Sequence, residues 1–375
     1  MLAHDWLVGM RGGEWVLDRL ARLFGPTDLY TLVNDGRFLT DAIAACNVIT
    51  SPLQRLPGAR GRLRRWYLPL MPWAVERLRV RPDARLVIST SSAVMKSIVP
   101  PRVGGRDVPH LCYCHSPARY IWEQSSDYRG GSRGGLRALG LRLARKRFQE
   151  WDRRTASRVT RFIANSEHTR RRIERCYERD AAVIHPPVRT EFYTPDESVQ
   201  REQWLLVVAA LEPYKRTELV IEAAKRGGWA LKVVGTGSQQ SALHALAARS
   251  GRGNVEFLGR VDDQMLRDLY RRARCLAFPQ VEDFGIIAAE AQSCGCPVAA
   301  YAGGGAMEIV TEHTGTLMRE QSAEAIVAAV AELERRRIVG RACRTNALRF
   351  SEERFDRQIL DEVDAMLEER ASPHR

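Results

Sequence analysis

The run Gln280-Val281-Glu282-Asp283-Phe284-Gly285-Ile286-Ile287-Ala288-Ala289-Glu290-Ala291, followed by Gly295-Cys296-Pro297-Val298-Ala299-Ala300, decides the reading of this chain. Two carboxylates, Glu282 and Glu290, stand eight positions apart. Between them Phe284, Gly285 and Ile286, then Ile287, Ala288 and Ala289, suit a helix. Gly285 lets backbone come close to a ligand. A helix that starts there offers unpaired N–H groups and its positive end to an anion. Glu290 then lies about one and a half turns further in, at 3.6 residues per turn. The layout suits a sugar nucleotide. One carboxylate accepts bonds from sugar hydroxyls, the helix start holds a diphosphate, and the deeper carboxylate takes a ribose diol.

Around this run the sequence is consistent with it. Cys275-Leu276-Ala277-Phe278-Pro279 reads as the strand that feeds it, and Gly303-Gly304-Gly305-Ala306-Met307-Glu308 as a second loop beyond it. The combination resembles the E-x7-E signature of the family 4 glycosyltransferases. That resemblance implies an α/β protein of the GT-B fold, with two Rossmann-like, doubly wound domains facing across a cleft. It also implies transfer with retention of anomeric configuration.

Length and composition agree with two folded domains. The chain has 375 residues, of which 45% are apolar. No run of about 18 uncharged apolar residues is present, so no transmembrane helix is expected. No charged-then-apolar leader is read at the start. The eight cysteines sit mostly among apolar neighbours, and Cys112-x-Cys114 and Cys294-x-Cys296 lack the spacing of a structural zinc site. Buried thiols in a reducing cytoplasm are expected, with neither disulfide nor metal. The charge is uneven. Residues 1–200 hold 34 Lys+Arg against 20 Asp+Glu, whereas residues 201–375 hold 24 against 25. The basic excess belongs to the first half, which suggests different partners for the two domains.

The first half begins with a short strand at residues 1–3 and the run His4-Asp5-Trp6, then Gly12-Gly13-Glu14 as a flexible loop before a helix. The resemblance puts Gly12, Gly13 and Glu14 against the donor phosphates and the acceptor. Residues 55–81 cluster arginines beside Trp66, Tyr67, Leu68 and Met71, and Pro69 and Pro72 break the helix they would form. Two readings are open there: an anionic membrane surface, or a half-buried helix whose arginines reach outward. No helix-turn-helix, finger or RNP pattern points to nucleic acid. The run His115-Ser116-Pro117-Ala118-Arg119-Tyr120-Ile121-Trp122 follows a strand, so His115 stands where ligands bind in open α/β sheets. The run looks like that of mannosyltransferases of bacterial surface-polysaccharide assembly. This implies that His115 contacts the transferred sugar and places Arg119 on the acceptor side. Residues 128–158 read as a Gly/Arg-rich stretch and then a helix, and Ser166 as a helix cap.

In the second half, a strand beginning at Trp204 delivers Lys215 and Arg216 to a loop before a helix. A cation there neutralises a diphosphate as its bond to the sugar breaks. The segment resembles the family's Arg-Leu-x-Pro-x-Lys, with Ala210 at the arginine position. Gly235 and Gly237 follow the next strand and leave room for a base or ribose against backbone. Arg260 and Val261 lie in the segment that, by resemblance, contacts the nucleobase. Phe284, Gly285 and Ile286 offer their N–H groups to sugar and phosphate. Residues 351–371 read as a final helix with Ser351 as its cap, and 371–375 as a frayed tail.

The expected organisation is therefore an acceptor-side domain at 1–188, a linker at 189–200, a nucleotide-sugar domain at 201–350, and a helix at 351–375 that crosses back. By resemblance, Glu282, Lys215 and His115 carry the chemistry, and Glu290 holds the ribose. No cofactor and no metal are expected, and no Asp-x-Asp motif is present. The donor is a nucleotide sugar, GDP-mannose first. The acceptor is a glycan or lipid-linked hydroxyl, handled in the cytoplasm and peripherally at the membrane. A UDP-sugar donor, a sugar-nucleotide epimerase, a phosphorylase and a non-catalytic membrane scaffold are the alternatives.

Overall fold

The computed structural model describes residues 1–37, 39–122, 136–249 and 254–371. The Gly/Arg-rich stretch at 128–135 and the tail at 372–375 lie outside the described residues. The chain divides into two compact units: Met1–Pro187 with Phe355–Arg375, and Val188–Arg354.

The first unit is built on β1 (Leu2–His4), β2 (Asp28–Thr31), β3 (Asn47–Thr50), β4 (Val87–Ser91), the outlying hairpin β5 (Arg102–Val103) and β6 (Arg106–Asp107), then β7 (His110–Cys114), β8 (Arg161–Ala164) and β9 (Ala181–Val183). Seven of them form a parallel sheet in the order β3-β2-β1-β4-β7-β8-β9. The barely visible first strand is thus at the centre of its sheet, with all three of its residues buried. Strands covered on both faces read as continuous buried runs, and β4 and β7 are buried throughout. Their polar side chains are paired: Ser89 Oγ with His110 Nε2 at 2.7 Å, and Thr90 Oγ1 with His4 Nδ1 at 2.6 Å.

The second unit carries β10 (Trp204–Val208), β11 (Ala230–Val234), β12 (Val255–Gly259), β13 (Cys275–Phe278), β14 (Val298–Tyr301) and β15 (Gly315–Met318). Its parallel order, β12-β11-β10-β13-β14-β15, is that of a doubly wound dinucleotide-binding sheet. In such sheets the order reverses beside the first strand, and ligands bind beyond the strand C-termini at that point. Here the reversal lies between β10 and β13. These strands run into the Lys215 loop and the Glu282 loop respectively.

The structure revises two local expectations. Gly12 and Gly13 are the first turn of the helix Gly12–Phe24 rather than a loop before it, with Glu14 at its third position. The stretch expected as a linker packs on the second unit. Tyr193 is buried in its core, its carbonyl accepts from Ser293 Oγ at 2.5 Å, and Arg344 bonds the Thr190 carbonyl at 2.6 Å. Proline interrupts the 55–81 segment as expected, giving a 3₁₀ stretch Arg62–Leu70 and a short helix Met71–Glu76.

The caps read from sequence are present. Ser166 Oγ accepts from Thr169 N at 3.0 Å, and Ser351 Oγ from Arg354 N at 3.3 Å. Ser351 precedes the helix Glu352–Ala371, of which Phe355, Ile359, Val363 and Met366 bury themselves with Leu2, Val16 and Leu29 of the first unit. All eight cysteines are buried free thiols.

Candidate active site

Two clusters of side chains stand at the strand C-termini, one in each unit.

In the second unit, β13 ends at Phe278 and the chain turns through Glu282 to Gly285. Gly285 caps the helix Ile286–Ser293 from the left-handed region, at φ 98°. That conformation is costly for any residue with a Cβ. A Cβ there would also stand 3.0 Å from the Phe278 ring. Across the reversal point, Pro213–Lys215 forms a 3₁₀ turn, and Lys215 Nζ donates to Glu282 Oε1. The two residues singled out independently in the sequence are therefore direct partners. Arg216 follows at φ 56°, left-handed without being glycine. It opens the helix Thr217–Gly227, and its side chain is half exposed near Glu218. Ala210, at the position where an arginine was looked for, lies in the loop leading to this turn.

The glycine-rich loops serve the chain itself. A Cβ on Gly235 would sit 1.8 Å from the Ala209 carbonyl oxygen, and one on Gly237 2.3 Å from that of Leu211. Gly304 and Gly305 abut Glu282 and Phe284 in the same way, at 2.1 and 2.3 Å. The position a side chain would take at Gly235 and Gly237 is occupied by neighbouring backbone. This packing holds the Lys215 and Glu282 loops in place. The Phe284 side chain is core, edge-on to Phe350 at 5.3 Å. Ile286 and Val261 also pack on this core, and Arg260 is exposed after Gly259.

Glu290 is buried, and Tyr270 donates its hydroxyl to Glu290 Oε2 at 3.3 Å. Burial pushes its carboxyl up to about 7, against the opposing pull of Arg189 and of the Tyr270 bond. Reading from sequence missed Tyr270 and Arg189, since nothing local ties them to Glu290. It also missed Thr217. The Thr217 hydroxyl is buried at the helix start beside Lys215 and Arg216, with no hydrogen-bond partner among the described residues.

In the first unit, His115 lies just past β7, held by backbone. Its N–H reaches the Ser91 carbonyl at 2.8 Å, and its own carbonyl accepts from Asn165 Nδ2 at 3.0 Å. Its ring is edge-on to Tyr113 at 5.3 Å. A Cβ on Gly13 would lie 3.3 Å from His115 Nε2, so the absence of a side chain at 13 lets the imidazole reach the helix start. Glu14 is buried behind them. It accepts from Arg11 N at 3.2 Å and stands 3.9 Å from His4 Nε2. Burial favours its protonated form, but the neighbouring His4 and Arg11 hold the carboxyl below its ordinary range. Gly12 begins the same turn, and Arg119 begins the short helix Arg119–Trp122.

Asp5, also missed in the sequence, organises this edge. Its oxygens accept from the N–H groups of Ser92, Ala93, Val94 and Met95 at 2.6 to 3.0 Å. An aspartate directly after a buried central strand was the available signal.

Two parallel doubly wound units, one with an acidic-basic pair and a glycine-capped helix at its reversal point, match the architecture of the GT-B fold. Comparison with known proteins gives the family. The chain matches the family descriptions "Glycosyltransferase Family 4" over residues 15–192 and "Glycosyl transferases group 1" over 189–350. The chain belongs to the family 4 glycosyltransferases. It is 29% identical to a D-inositol 3-phosphate glycosyltransferase of Mycobacteroides abscessus, over 60% of this chain and 56% of that one. It is 30% identical to a GDP-mannose-dependent monoacylated alpha-(1-6)-phosphatidylinositol monomannoside mannosyltransferase of Corynebacterium glutamicum, over 45% of this chain and 51% of that one. The matched segment spans about half the length of these relatives. Sucrose-phosphate synthase of Thermosynechococcus elongatus shares the fold, with a TM-score of 0.72 at 17% identity over 98% of this chain and 99% of that one.

Proposed function

We propose that this protein transfers a hexose, with retention, from a nucleoside diphosphate sugar to a hydroxyl of a glycan or lipid-linked acceptor. The observation that carries the reading is the Lys215–Glu282 pair at the reversal point of the second sheet, beside the helix start at Gly285. GDP-mannose is the favoured donor, supported by the relative from Corynebacterium, whose name specifies GDP-mannose and a phosphoinositide acceptor.

As the bond to the sugar breaks, negative charge grows on the departing diphosphate. Lys215, Arg216 and the N–H groups at Phe284, Gly285 and Ile286 stabilise that charge, and they count most in the transition state. The buried, unpartnered Thr217 hydroxyl favours an oxygen-rich ligand at the same place. Glu282 orders the sugar hydroxyls and Glu290 takes the ribose. Arg260 and Val261 flank the base, and Gly235 and Gly237 shape its loop. In the first unit the reading assigns sugar contact to His115, donor phosphate to Gly12 and Gly13, and acceptor contact to Glu14 and Arg119. Proton transfer goes from the acceptor hydroxyl to the leaving diphosphate oxygen, without cofactor or metal. The acceptor is held at an anionic membrane face, with the protein peripheral on the cytoplasmic side.

The test is a thermal-shift panel of GDP, UDP, ADP and their sugars, followed by an assay of transfer and of donor hydrolysis. GDP and GDP-mannose should raise the melting temperature by mass action. Lys215→Ala and Glu282→Ala should each lower turnover by about 10²–10³. A protein blind to every nucleotide sugar would overturn the reading, and a response to UDP alone would move the donor to a UDP-sugar.

A further inference from the structure

We propose that Asp152 is a positioning residue for transfer: through the indole of Trp122 it fixes the short helix that presents Arg119 to the acceptor. The role rests on the reading of Arg119 as an acceptor contact and on the geometry of the first unit alone.

The run from His115 to Trp122 is held from two sides. Its first half leans on the start of the helix Glu167–Tyr177. Asn165 Nδ2 and Thr169 Oγ1 donate to the His115 carbonyl at 3.0 and 3.4 Å, and Arg172 Nη2 donates to that of Pro117 at 3.4 Å. Its second half is the helix Arg119–Trp122, four residues long. A single turn does not stand alone in water, because no further bonds offset the cost of starting it. The helix Leu136–Thr155 supplies what is missing. Arg145 Nε and Gln149 Nε2 both donate to the Ile121 carbonyl, at 2.5 and 2.9 Å. Phe148 meets the Tyr120 ring edge-on at 6.0 Å, and Asp152 Oδ2 accepts from Trp122 Nε1 at 2.7 Å. Residues 145, 148, 149 and 152 follow the i, i+3, i+4, i+7 pattern, which puts them on one face of an α-helix. That stripe is committed to Tyr120, Ile121 and Trp122.

Asp152 is the costly member of the stripe. It is fully buried, and so is its partner Lys96. Lys96 Nζ stands 3.0 Å from Asp152 Oδ1 and donates to the Asp152 carbonyl at 2.6 Å and to the Ser97 and Thr155 hydroxyls at 3.2 Å each. Well-packed apolar residues in place of such a pair are usually no less stable, so stability does not account for it. What the carboxylate adds is a strong, directional acceptor for one indole N–H. The ring is set as well: it is edge-on to Tyr177 at 6.1 Å, and the Arg153 guanidinium lies 5.5 Å over it. Lys96 directly follows Ser92–Met95, whose N–H groups donate to Asp5, and the His115 N–H bonds Ser91 of the same strand end. Trp122 and His115 are therefore both referenced to the end of β4, but by separate contacts. Loosening the Asp152 bond releases Arg119 while Asn165 and Thr169 keep His115 in place. The resulting defect lies in acceptor use and spares donor use.

The experiment compares the full parent chain with three variants, using GDP-mannose as donor and methyl α-mannoside as acceptor probe. Transfer and donor hydrolysis are read from the same reaction. Trp122→Phe keeps a ring and removes the N–H. Lys96→Met with Asp152→Leu removes the buried charges together, and the Ser97 and Thr155 hydroxyls still pair at 2.7 Å. Both should raise the acceptor KM at least about tenfold, with donor KM and hydrolysis as in the parent. The double variant should do so at the parent's melting temperature, which separates positioning from stability. Asn165→Ala, which releases the His115 carbonyl, should instead slow hydrolysis. Amide exchange read by mass spectrometry, without any substrate, should quicken at 119–122 in Trp122→Phe and stay unchanged at 112–116. An acceptor KM equal to the parent's in the double variant, or a loss shared equally by donor and acceptor, overturns the proposal. Exchange that quickens along the whole run also overturns it. A parent that neither transfers nor hydrolyses the donor sinks the transferase reading instead, and the exchange pattern then still decides whether Asp152 holds this helix.

Discussion

At the residue scale, the most informative side chains are those the fold keeps at a cost. Arg216 holds a left-handed conformation at φ 56°. Among the described residues, the other two non-glycine residues of this kind, Glu178 and Arg337, end helices, where a left-handed cap satisfies orphan carbonyls. Arg216 likewise ends the 3₁₀ turn, its N–H on the Pro213 carbonyl at 3.2 Å, and it also opens the next helix, whose start its side chain does not cap. We expect Arg216→Gly to stabilise the free protein by about 0.5–1 kcal/mol, since the strain of a Cβ disappears. It should at the same time lower kcat/KM for the donor at least about tenfold. Denaturant unfolding beside steady-state kinetics checks both; unchanged kinetics would remove Arg216 from the site.

Glu290 makes a second argument of this kind. Its carboxyl is raised from 4.5 to about 7 in the folded protein, so the folded state holds a proton that the unfolded chain releases. Stability from this group is present below about pH 4.5 and is lost as pH rises toward 7. Above pH 7 the buried carboxylate remains a cost of up to about 3 kcal/mol. Glu290→Gln should therefore be the more stable protein at pH 8, by up to that amount, and indistinguishable at pH 4. If ribose binding uses the carboxylate, donor affinity of the parent should climb between pH 6 and 8, and that rise should vanish in the glutamine variant. Calorimetric titration across this range is the measurement.

At the scale of elements, the loops at the strand C-termini are held by backbone against backbone. Gly235 at φ 125° has the Ala209 carbonyl where a Cβ would be. Gly235→Ala should displace the loop carrying Ala210 toward Lys215 and cost about 2–4 kcal/mol. Gly13→Ala is the contrast. There the obstacle is one imidazole atom at 3.3 Å, which a small ring shift relieves. It should cost less than about 1 kcal/mol of stability, yet lower transfer through the displaced His115. Equal stability losses in the two variants would show that the His115 ring cannot give way. A one-dimensional pattern shows that glycines cluster after strands. It does not show what each one makes room for, because the crowding partner of Gly235 is 26 residues earlier and that of Gly13 is 102 residues later.

At the scale of the whole molecule, the chain leaves its first unit at Pro187 and returns to it at Phe355. The last helix completes the first core with Phe355, Ile359, Val363 and Met366, and its rim pairs Arg19 with Asp356 and Arg161 with Glu362. Phe355→Ala should lower the stability of the first unit by about 3–5 kcal/mol. It should leave intact the protection that nucleotide binding gives the second unit against proteolysis. What the sequence by itself determined is periodic and local: buried strand runs alternating with helices, the caps at Ser166 and Ser351, and the eight-residue interval from Glu282 to Glu290 around a glycine-led helix. These follow from propensities and spacings that act over a few residues. Only the tertiary structure decided that Lys215 meets Glu282, 67 positions away, and that the Tyr270 hydroxyl donates to Glu290 inside the core. It also decided that the Ala209 carbonyl stands where a side chain at 235 would be. The physical reason is that such contacts depend on which strands lie side by side. Strand order is set by the packing of the whole sheet, and no local pattern in the chain encodes it.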